Sequence, residues 1–410
     1  LSALTDAIAA AAQFSFGLVA TQTGTPRLTA LDVAWSERSD AVSAARDNKY
    51  QFYQWYYDGS QRDPLDESFT DGTVPTVEPT FSRRHNFMAV VVDVMVERLA
   101  VEAFSVDRDG DAATPGQTAD ALVATAKQLW YWWQCNRMDD MQGSVHTQAL
   151  IKGDAFVLCD YDAAYARPRF TFNDALNITP IYDAHHRMEA AYKTWVERYT
   201  DAGGRLQLRY RLTKYSPDRI EKFTREGIGG TWRLWASDLD ADGQPDGGVI
   251  DWTDRSGQPL GIPVIHFRNR PRGNDFGRSE LDDLIPAQDS YNDRHLQADN
   301  ALRYGGGPQK YVVNVTPPAD GWASGPDVVW RMEALDPNKP VAVGQFSAGN
   351  VIDMQDGVDR QLKTIAAMSR IPMHLLWPEG GLPSGESLKT AEAGLVSKCT
   401  DRSITFGNAW

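Results

Sequence analysis

Between Asp154 and Asn269 apolar and polar residues alternate in short runs: AFVLCDY, PRFTF, EAAYKTWVERY, RLQLRYRL, RIEKFTRE, TWRLWAS, GVIDWTD and GIPVIHFRN. A period of two puts alternate side chains on opposite faces of a strand, and Gly, Asp and Pro fall between the runs where the chain must turn. The pattern predicts a meander of antiparallel strands. On either side the period lengthens to that of a helix. ALDVAWSERSDAVSAARDNKYQFYQWYYDG predicts a helix from about Val33 to Tyr57, closed by Gly59. RRHNFMAVVVDVMVERLAVEAFSVD predicts a helix that turns to strand near Val101. TADALVATAKQLWYWWQCNRMDDM predicts one long helix after Thr118, whose aromatic cluster Trp130 to Trp133 suits a core or a subunit interface better than a ligand box.

After the strands comes GRSELDDLIPAQDSYNDRHLQADNALRYGGG, a second long helix. Ser279 is its N-cap, with Asp282 three residues on, and Gly305 to Gly307 stop it. Leu281, Leu284, Tyr291, Ala298 and Leu302 form a seam for neighbours, and Pro286 predicts a bend or a late start. Three short strands follow, KYVVNV, DVVWRMEA and VAVGQF. A further helix spans about Gly357 to Ile371, with Val358, Leu362, Ile365 and Met368 on one side and Pro372 closing it. A glycine loop and a last helix from about Glu386 complete the chain. Two helices thus bracket a small β module, and neither is expected to bury its seam within one chain. No repeat or low-complexity tract interrupts this α+β order.

The composition narrows the function classes. The chain has 410 residues, 42% hydrophobic and 23% charged, enough for one large core or several domains. Its formal charge of -14 makes tight wrapping of DNA a poor fit, because phosphate neutralisation needs Lys and Arg. The three cysteines, Cys135, Cys159 and Cys399, are far apart and read as reduced thiols. No run is long and apolar enough for a membrane helix, and AIAAAAQFSFGLVATQTGT lacks the basic leader of a signal peptide. The chain begins without Met and stops at Trp410 within an expected helix, so both ends read as incomplete.

The motifs that carry chemistry are mostly near misses. WPEGGLPSGESLKTAEAG places Gly380 and Gly385 as in the phosphate loop GxxxxGK[ST], but Glu386 stands where the Lys belongs. The glutamate repels phosphate, and a helix end with Pro372 precedes the loop in place of a strand. Asp238, Asp240, Asp242 and Gly243 begin like a calcium loop, but its twelfth position is Val249, so a hairpin turn is the better reading. The histidines, among them His185, His186, His266 and His374, have no zinc spacing, and no GxSxG occurs. No cofactor, metal or catalytic residue is expected.

Two stretches carry a resemblance. IPVIHFRNRPRGNDFGRSELDDLIPAQDSYNDRHLQADNALRYGGGPQKYV and IPMHLLWPEGGLPSGESLKTAEAGLVSK, with FMAVVVDVMVERLAVEAF, resemble the portal proteins of tailed bacteriophages, in the long-tailed, siphovirus-type branch. The likeness is in the order and spacing of a Pro-Val-Ile strand, a Gly-x-Ser-x-Leu helix start, a small strand module, a helix, and a Gly/Ser loop entering an Ala-Gly-Leu helix. It implies an α+β portal fold assembled as a ring of twelve copies. Residues 1–268 would be a helical and antiparallel-β wing, 277–303 the first stem helix, 304–349 the clip, 350–371 the second stem helix and 372–385 the tunnel loop. Residues 386–410 would return toward the wing and crown, the crown itself being absent.

The resemblance also implies roles. Trp377, Gly380, Gly381, Pro383, Ser384 and Gly385 would form the tunnel loop around DNA, with Leu375, Leu376 and Trp377 at its base. Arg360, Lys363 and Arg370 would line the channel, or else be ordinary solvated or intersubunit positions. Trp322, Trp330, Arg331 and Lys339 would be clip contacts, the tryptophans alternatively packing inside the module. The implied function is a structural channel for packaging and ejecting double-stranded DNA, not an enzyme. Implied partners are the terminase motor, the major capsid and scaffolding proteins and a head-completion or adaptor protein, with no membrane. The implied place is the portal vertex of the virion, after assembly in the host cytoplasm. The rival readings are another ring or adaptor component of a virion, and a nucleotide-using enzyme at Gly380–Ser387.

Overall fold

In the computed structural model, the described residues are 41–61, 84–105, 119–162, 165, 167–200, 203–227, 230–235, 248–254, 256–273, 275–306, 310–316, 333–345, 351–377 and 385–410. They mix helix and sheet and fall into two units: residues 1–60, 86–285 and 369–410 in the first, and 61–85 and 286–368 in the second.

The first unit begins with α1 (Ala41–Tyr57) and α2 (Phe87–Val96). Asn86 caps α2 by accepting from the Met88 and Ala89 amides, and Met88, Val91, Val92 and Met95 are fully buried. The part of the first predicted helix before Ala41 lies outside the described residues. The strand expected near Val101 does not form. Residues 99–105 run without a ladder partner among the described residues, and the Val101 amide donates to Gln142 Oε1 at 2.7 Å.

The helix predicted after Thr118 is two helices, α3 (Ala119–Cys135) and α4 (Met138–Lys152). Arg137 between them is left-handed, at φ 54°. Asn136 causes the break: its amide donates to the carbonyls of Trp132 and Pro168, while its Oδ1 accepts from the Phe170 amide. Trp133 is buried and Tyr131 exposed, so the aromatic run divides between core and surface.

Among the described residues nine strands follow: β1 (Asp154–Asp162), β2 (Arg167–Asn173), β3 (Ile178–Tyr182), β4 (Met188–Thr200), β5 (Leu206–Tyr215), β6 (Arg219–Glu226), β7 (Arg233–Leu234), β8 (Val249–Asp251) and β9 (Val264–Arg268). Every named pairing is antiparallel, as the alternation predicts. They form two sheets, β2-β1-β9 and a larger one ordered β3-β4-β5-β6-β7 with β8 also on β6. β3 escapes the sequence reading because Pro180 interrupts it, yet as an edge strand it can spare that N–H. TWRLWAS was expected as a full strand, but β7 keeps only two residues. A core of Tyr50, Phe156, Ile178, Tyr215, Ile220 and Val264 joins the two sheets to α1.

The second unit holds most of α5 (Ile285–Gly306), the strands β10 (Lys310–Val313) and β11 (Ala342–Gln345), and most of α6 (Val351–Ser369). α5 starts late, just before Pro286, as a proline at the first turn permits. The strand expected from DVVWRMEA lies largely outside the described residues; Ala334 makes an isolated bridge to Val315. On α6, Val358, Leu362 and Ile365 are buried, but Met368 is 48% exposed and Ser369 takes its place inside. The chain therefore buries much of this seam by itself, against the expectation that neither helix could. α5 and α6 are cross-linked: Gln361 donates to the Ala287 carbonyl at 3.2 Å and Arg294 to the Gly357 carbonyl at 3.4 Å. His85 packs on Tyr291 and His295 of α5.

Candidate functional site

The elements that flank the glycine loop are firmly held in the first unit. α6 ends at Ser369, Arg370 turns left-handed at φ 60°, and Ile371 and Pro372 are buried. Pro372 then caps the one-turn helix α7 (Met373–Leu376). Leu376 is buried, Leu375 half-buried, and Trp377 is 47% exposed, so Leu376 and not Trp377 anchors this end. Gly380, Gly381, Pro383 and Ser384 lie outside the described residues. Gly385 opens the last helix, α8 (Gly385–Gly407).

α8 clamps both sides of the loop. Lys398 donates to the Ser369 carbonyl at 3.1 Å and pairs with Glu280 at 2.8 Å. Glu392 meets His374 of α7 at 3.3 Å and Arg98 at 3.8 Å. Arg402 adds two N–H donors to Glu280 Oε1, at 2.9 and 2.8 Å, and Asn269 a third at 3.1 Å. Glu280 and Lys398 are nearly sealed from water. Burial, the largest influence, raises the Glu280 pKa, but Lys398 and Arg402 together overcome it and hold the carboxyl at about 2. At the end of α8, His146 Nε2 accepts from the Trp410 indole N–H while Nδ1–H reaches the Leu99 carbonyl. Burial keeps this imidazole neutral, with its pKa at about 4.

A second buried network ties α1, β1 and β9 together. Asp154 accepts from Tyr50 OH at 2.6 Å and from His266 Nε2 and the Gly277 amide at 2.7 Å, and His266 Nδ1 meets Tyr182 OH. This Tyr–His–Asp chain has the order of a proton relay, but the His266 and Asp154 side chains are 4% and 1% exposed, too sealed for a substrate. Its work is structural. Sequence reasoning missed both networks. Their members are scattered across the chain, and only the glycines beside them gave a signal. Gly153 is left-handed at φ 91°, and a Cβ on Gly277 would stand 2.0 Å from the Gly153 carbonyl oxygen.

Of the expected channel cations, Arg360 and Lys363 are exposed on α6, on the side away from Val358, Leu362 and Ile365. Arg370 is exposed too, but it lies beyond the helix end. Of the expected clip contacts, Trp322, Trp330 and Arg331 lie outside the described residues. Lys339 is exposed, 3.7 Å from Asp336. The turn that carries it is organised by Asn314, left-handed at φ 60°, whose amide donates to the Asp336 and Lys339 carbonyls. The two-stranded ladder beside it leaves Tyr311, Val313, Val341 and Val343 exposed.

Among the described residues no group of His, Cys, Asp or Glu is arranged to hold a metal, and no helix is long and apolar enough to cross a membrane. The calcium-like loop at Asp238 to Gly243 lies outside them. All three cysteines are free thiols.

The family model described as "Phage portal protein, SPP1 Gp6-like" matches residues 45–410. Two curated relatives are the portal proteins of Mycobacterium phage D29, 25% identical over 91% of this chain and 72% of its own, and of Mycobacterium phage L5, 26% identical over 87% and 68%. Among solved structures, the neck of an empty GTA particle computed with C6 symmetry covers 79% of this chain and 79% of its own, at 11% identity and a TM-score of 0.42. The virion of a native gene transfer agent particle covers 64% and 67%, at 12% identity and a TM-score of 0.33.

Proposed function

The chain belongs to the SPP1 Gp6-like family of phage portal proteins, and from that premise we infer that it is the repeating subunit of a portal ring. The ring forms the channel through which double-stranded DNA is packaged and ejected at one vertex of the capsid. The observation that carries this reading is the second unit. Two long helices bracket a two-stranded ladder that exposes Tyr311 and Val313 on one face and Val343 on the other, with Val341 exposed just before it. A two-stranded ladder is marginal by itself in water, and one with apolar residues exposed on both of its faces calls for neighbouring surfaces. Identical copies around an axis supply them.

In this reading residues 1–268 form the wing, 277–303 and 350–371 the stem, 304–349 the clip and 372–385 the tunnel loop. The remainder returns toward the crown. Trp377, Gly380, Gly381, Pro383, Ser384 and Gly385 act on DNA by shape and backbone freedom. Arg360, Lys363 and Arg370 give weak contacts along the passage. Trp322, Trp330, Arg331 and Lys339 face the terminase motor and later a head-completion or adaptor protein. The ring has twelve copies, meets major capsid and scaffolding proteins, and is assembled in the host cytoplasm. It is a structural part and not an enzyme, because Glu386 opposes phosphate and the flanking elements are helices. Mass measurement and particle imaging of the purified chain test the proposal. A ring with an axial hole is expected. A well-folded monomer at micromolar concentration, or saturable magnesium-dependent ATP binding lost in Ser387→Ala, overturns it.

A further inference from the structure

Among the described residues, one face of the larger sheet gathers arginines near its β7 edge. Arg209 and Arg211 of β5, Thr224 and Arg225 of β6, Arg233 of β7 and the adjoining Trp235 line an open cleft of about 430 Å3. Strand register brings them together. Arg209 stands opposite Glu226, Arg211 opposite Thr224, and Thr224 opposite Arg233, so these side chains share a face. The guanidinium planes are held by aromatic rings. Arg211 lies 3.8 Å over Trp235 and Arg209 4.1 Å over Tyr199, while Arg225, opposite Tyr210, stacks on Tyr210 and Trp232 on the other face. Forks fixed in this way lose little freedom when a ligand arrives.

Arg211 carries an unmet hydrogen-bonding capacity beside this cleft. It is 5% exposed, and Glu197 Oε2 takes both its Nε and Nη2 at 2.8 Å. Its Nη1 is buried, with no hydrogen-bond partner among the described residues. A buried donor left in this state costs its full desolvation, which an arriving anionic oxygen would recover. On this face, among the described residues, the three guanidinium groups of Arg209, Arg211 and Arg233 stand with the carboxylates of Glu197 and Glu226. At the rim, Gly230 lets the chain fold back tightly on β6, since a Cβ there would lie 2.6 Å from the Glu226 carbonyl oxygen.

We propose that this cleft binds the phosphodiester backbone of a nucleic-acid strand. A carboxylate is planar and matched by one fork, and Glu197 already fills that role for Arg211. A phosphate offers acceptor oxygens in several directions, suited to guanidinium groups converging from β5 and β7 and to the hydroxyls of Thr224 and Thr231. Its size is that of pockets holding one small ligand unit, and the apolar surfaces of Leu234 and Trp235 suit a sugar or a base. The site lies on β5 to β7 and does not rest on the channel reading.

The test is fluorescence anisotropy of the purified chain with labelled single-stranded and duplex oligonucleotides across a salt series, with polyglutamate as the carboxylate arm. Arg209→Gln with Arg233→Gln should weaken oligonucleotide binding roughly tenfold and flatten the salt dependence, since each phosphate contact contributes about 0.7 to the slope on a single strand. Glu197→Gln should tighten it about threefold, a gain that misfolding cannot produce. Arg187→Gln, an exposed arginine paired with Asp183 on the β3–β4 turn, removes the same charge and should change little. Binding of either strand form with this pattern supports the site. Unchanged binding in the double variant, equal weakening by Arg187→Gln, or equally tight and equally sensitive polyglutamate binding overturns it.

Discussion

Glu280 is a buried carboxylate whose two cations both come from α8, so its ionisation and the seating of that helix are one equilibrium. Removing one partner of such a group costs about 3–5 kcal/mol, because a charge is left without compensation in a poorly solvated site. Lys398→Met should therefore lower the melting temperature clearly, and more than Lys389→Met at an exposed position of the same helix. The pH dependence has a definite sign. Glu280 ionises at about 2 in the fold, against 4.5 in the unfolded chain, so the unfolded state binds more protons between these values. Its contribution, on the order of 3 kcal/mol, is complete above pH 4.5 and fades as the pH falls toward 2. His146 acts in the same direction from pH 6.5 down to about 4, because the folded state prefers the neutral ring. Denaturant unfolding from pH 7 to pH 2 should show both steps, and Glu280→Gln should flatten the lower one. A wild-type acid limb matched by Glu280→Gln would falsify this account. None of it was legible in the sequence: a Glu after Ser279 and a Lys in a helix read as surface residues until the fold brings them together.

At the scale of elements, two glycines should respond in opposite ways to the same methyl group. Gly277 runs against the C-cap of α4, where a Cβ would stand 2.0 Å from a backbone oxygen and 2.6 Å from that of Asn269. Neither atom can move without shifting β9 or α4, so Gly277→Ala should cost about 1–3 kcal/mol or more. Gly357 sits within α6 with nothing within 4 Å of its Cβ position, and Gly357→Ala should stabilise the helix by about 0.5–1 kcal/mol. Thermal melts of the two variants check both signs, and a tolerated Gly277→Ala would sink the packing argument. The elements themselves were largely readable. Alternation marked eight of the nine strands from β1 to β9, and helical period marked α1, α2, α5, α6 and α8. Reading failed where a side chain or a single position overrode the period. Asn136 breaks one helix into two, Pro180 hides an edge strand, and Gln142 takes the amide that a strand at Val101 would have used. The arginines of the cleft read singly as solvated strand positions, because their convergence depends on register across β5, β6 and β7.

For the whole molecule, charge is the controlling quantity. In the proposed ring, a chain of net charge -14 repeated around an axis would repel a polyanion on average, which would favour movement over capture. Movement would still need the DNA kept near the axis, and on the proposed stem assignment a few exposed cations would serve that without holding it. Arg360 and Lys363 fit because they lie on the face of α6 opposite Val358, Leu362 and Ile365, and Asp356 and Asp359 are exposed on the same helix. Each such contact is screened by salt and individually weak, but ring symmetry multiplies it by the number of copies. Reversing both charges, Arg360→Glu with Lys363→Glu, leaves the buried seam untouched, so rings should assemble with unchanged mass and melting temperature. Packaging of DNA into proheads should fall several-fold, and the deficit should shrink as salt is raised, because the added repulsion is screened. Neutral Arg360→Gln with Lys363→Gln should lie between the wild type and the reversed pair. If packaging is unchanged in both variants while rings still form, these cations do not face the DNA. If ring mass collapses, they belong to the contact between neighbouring copies. A graded loss of packaging with intact rings is the expected result, and it is the one that places α6 along the channel.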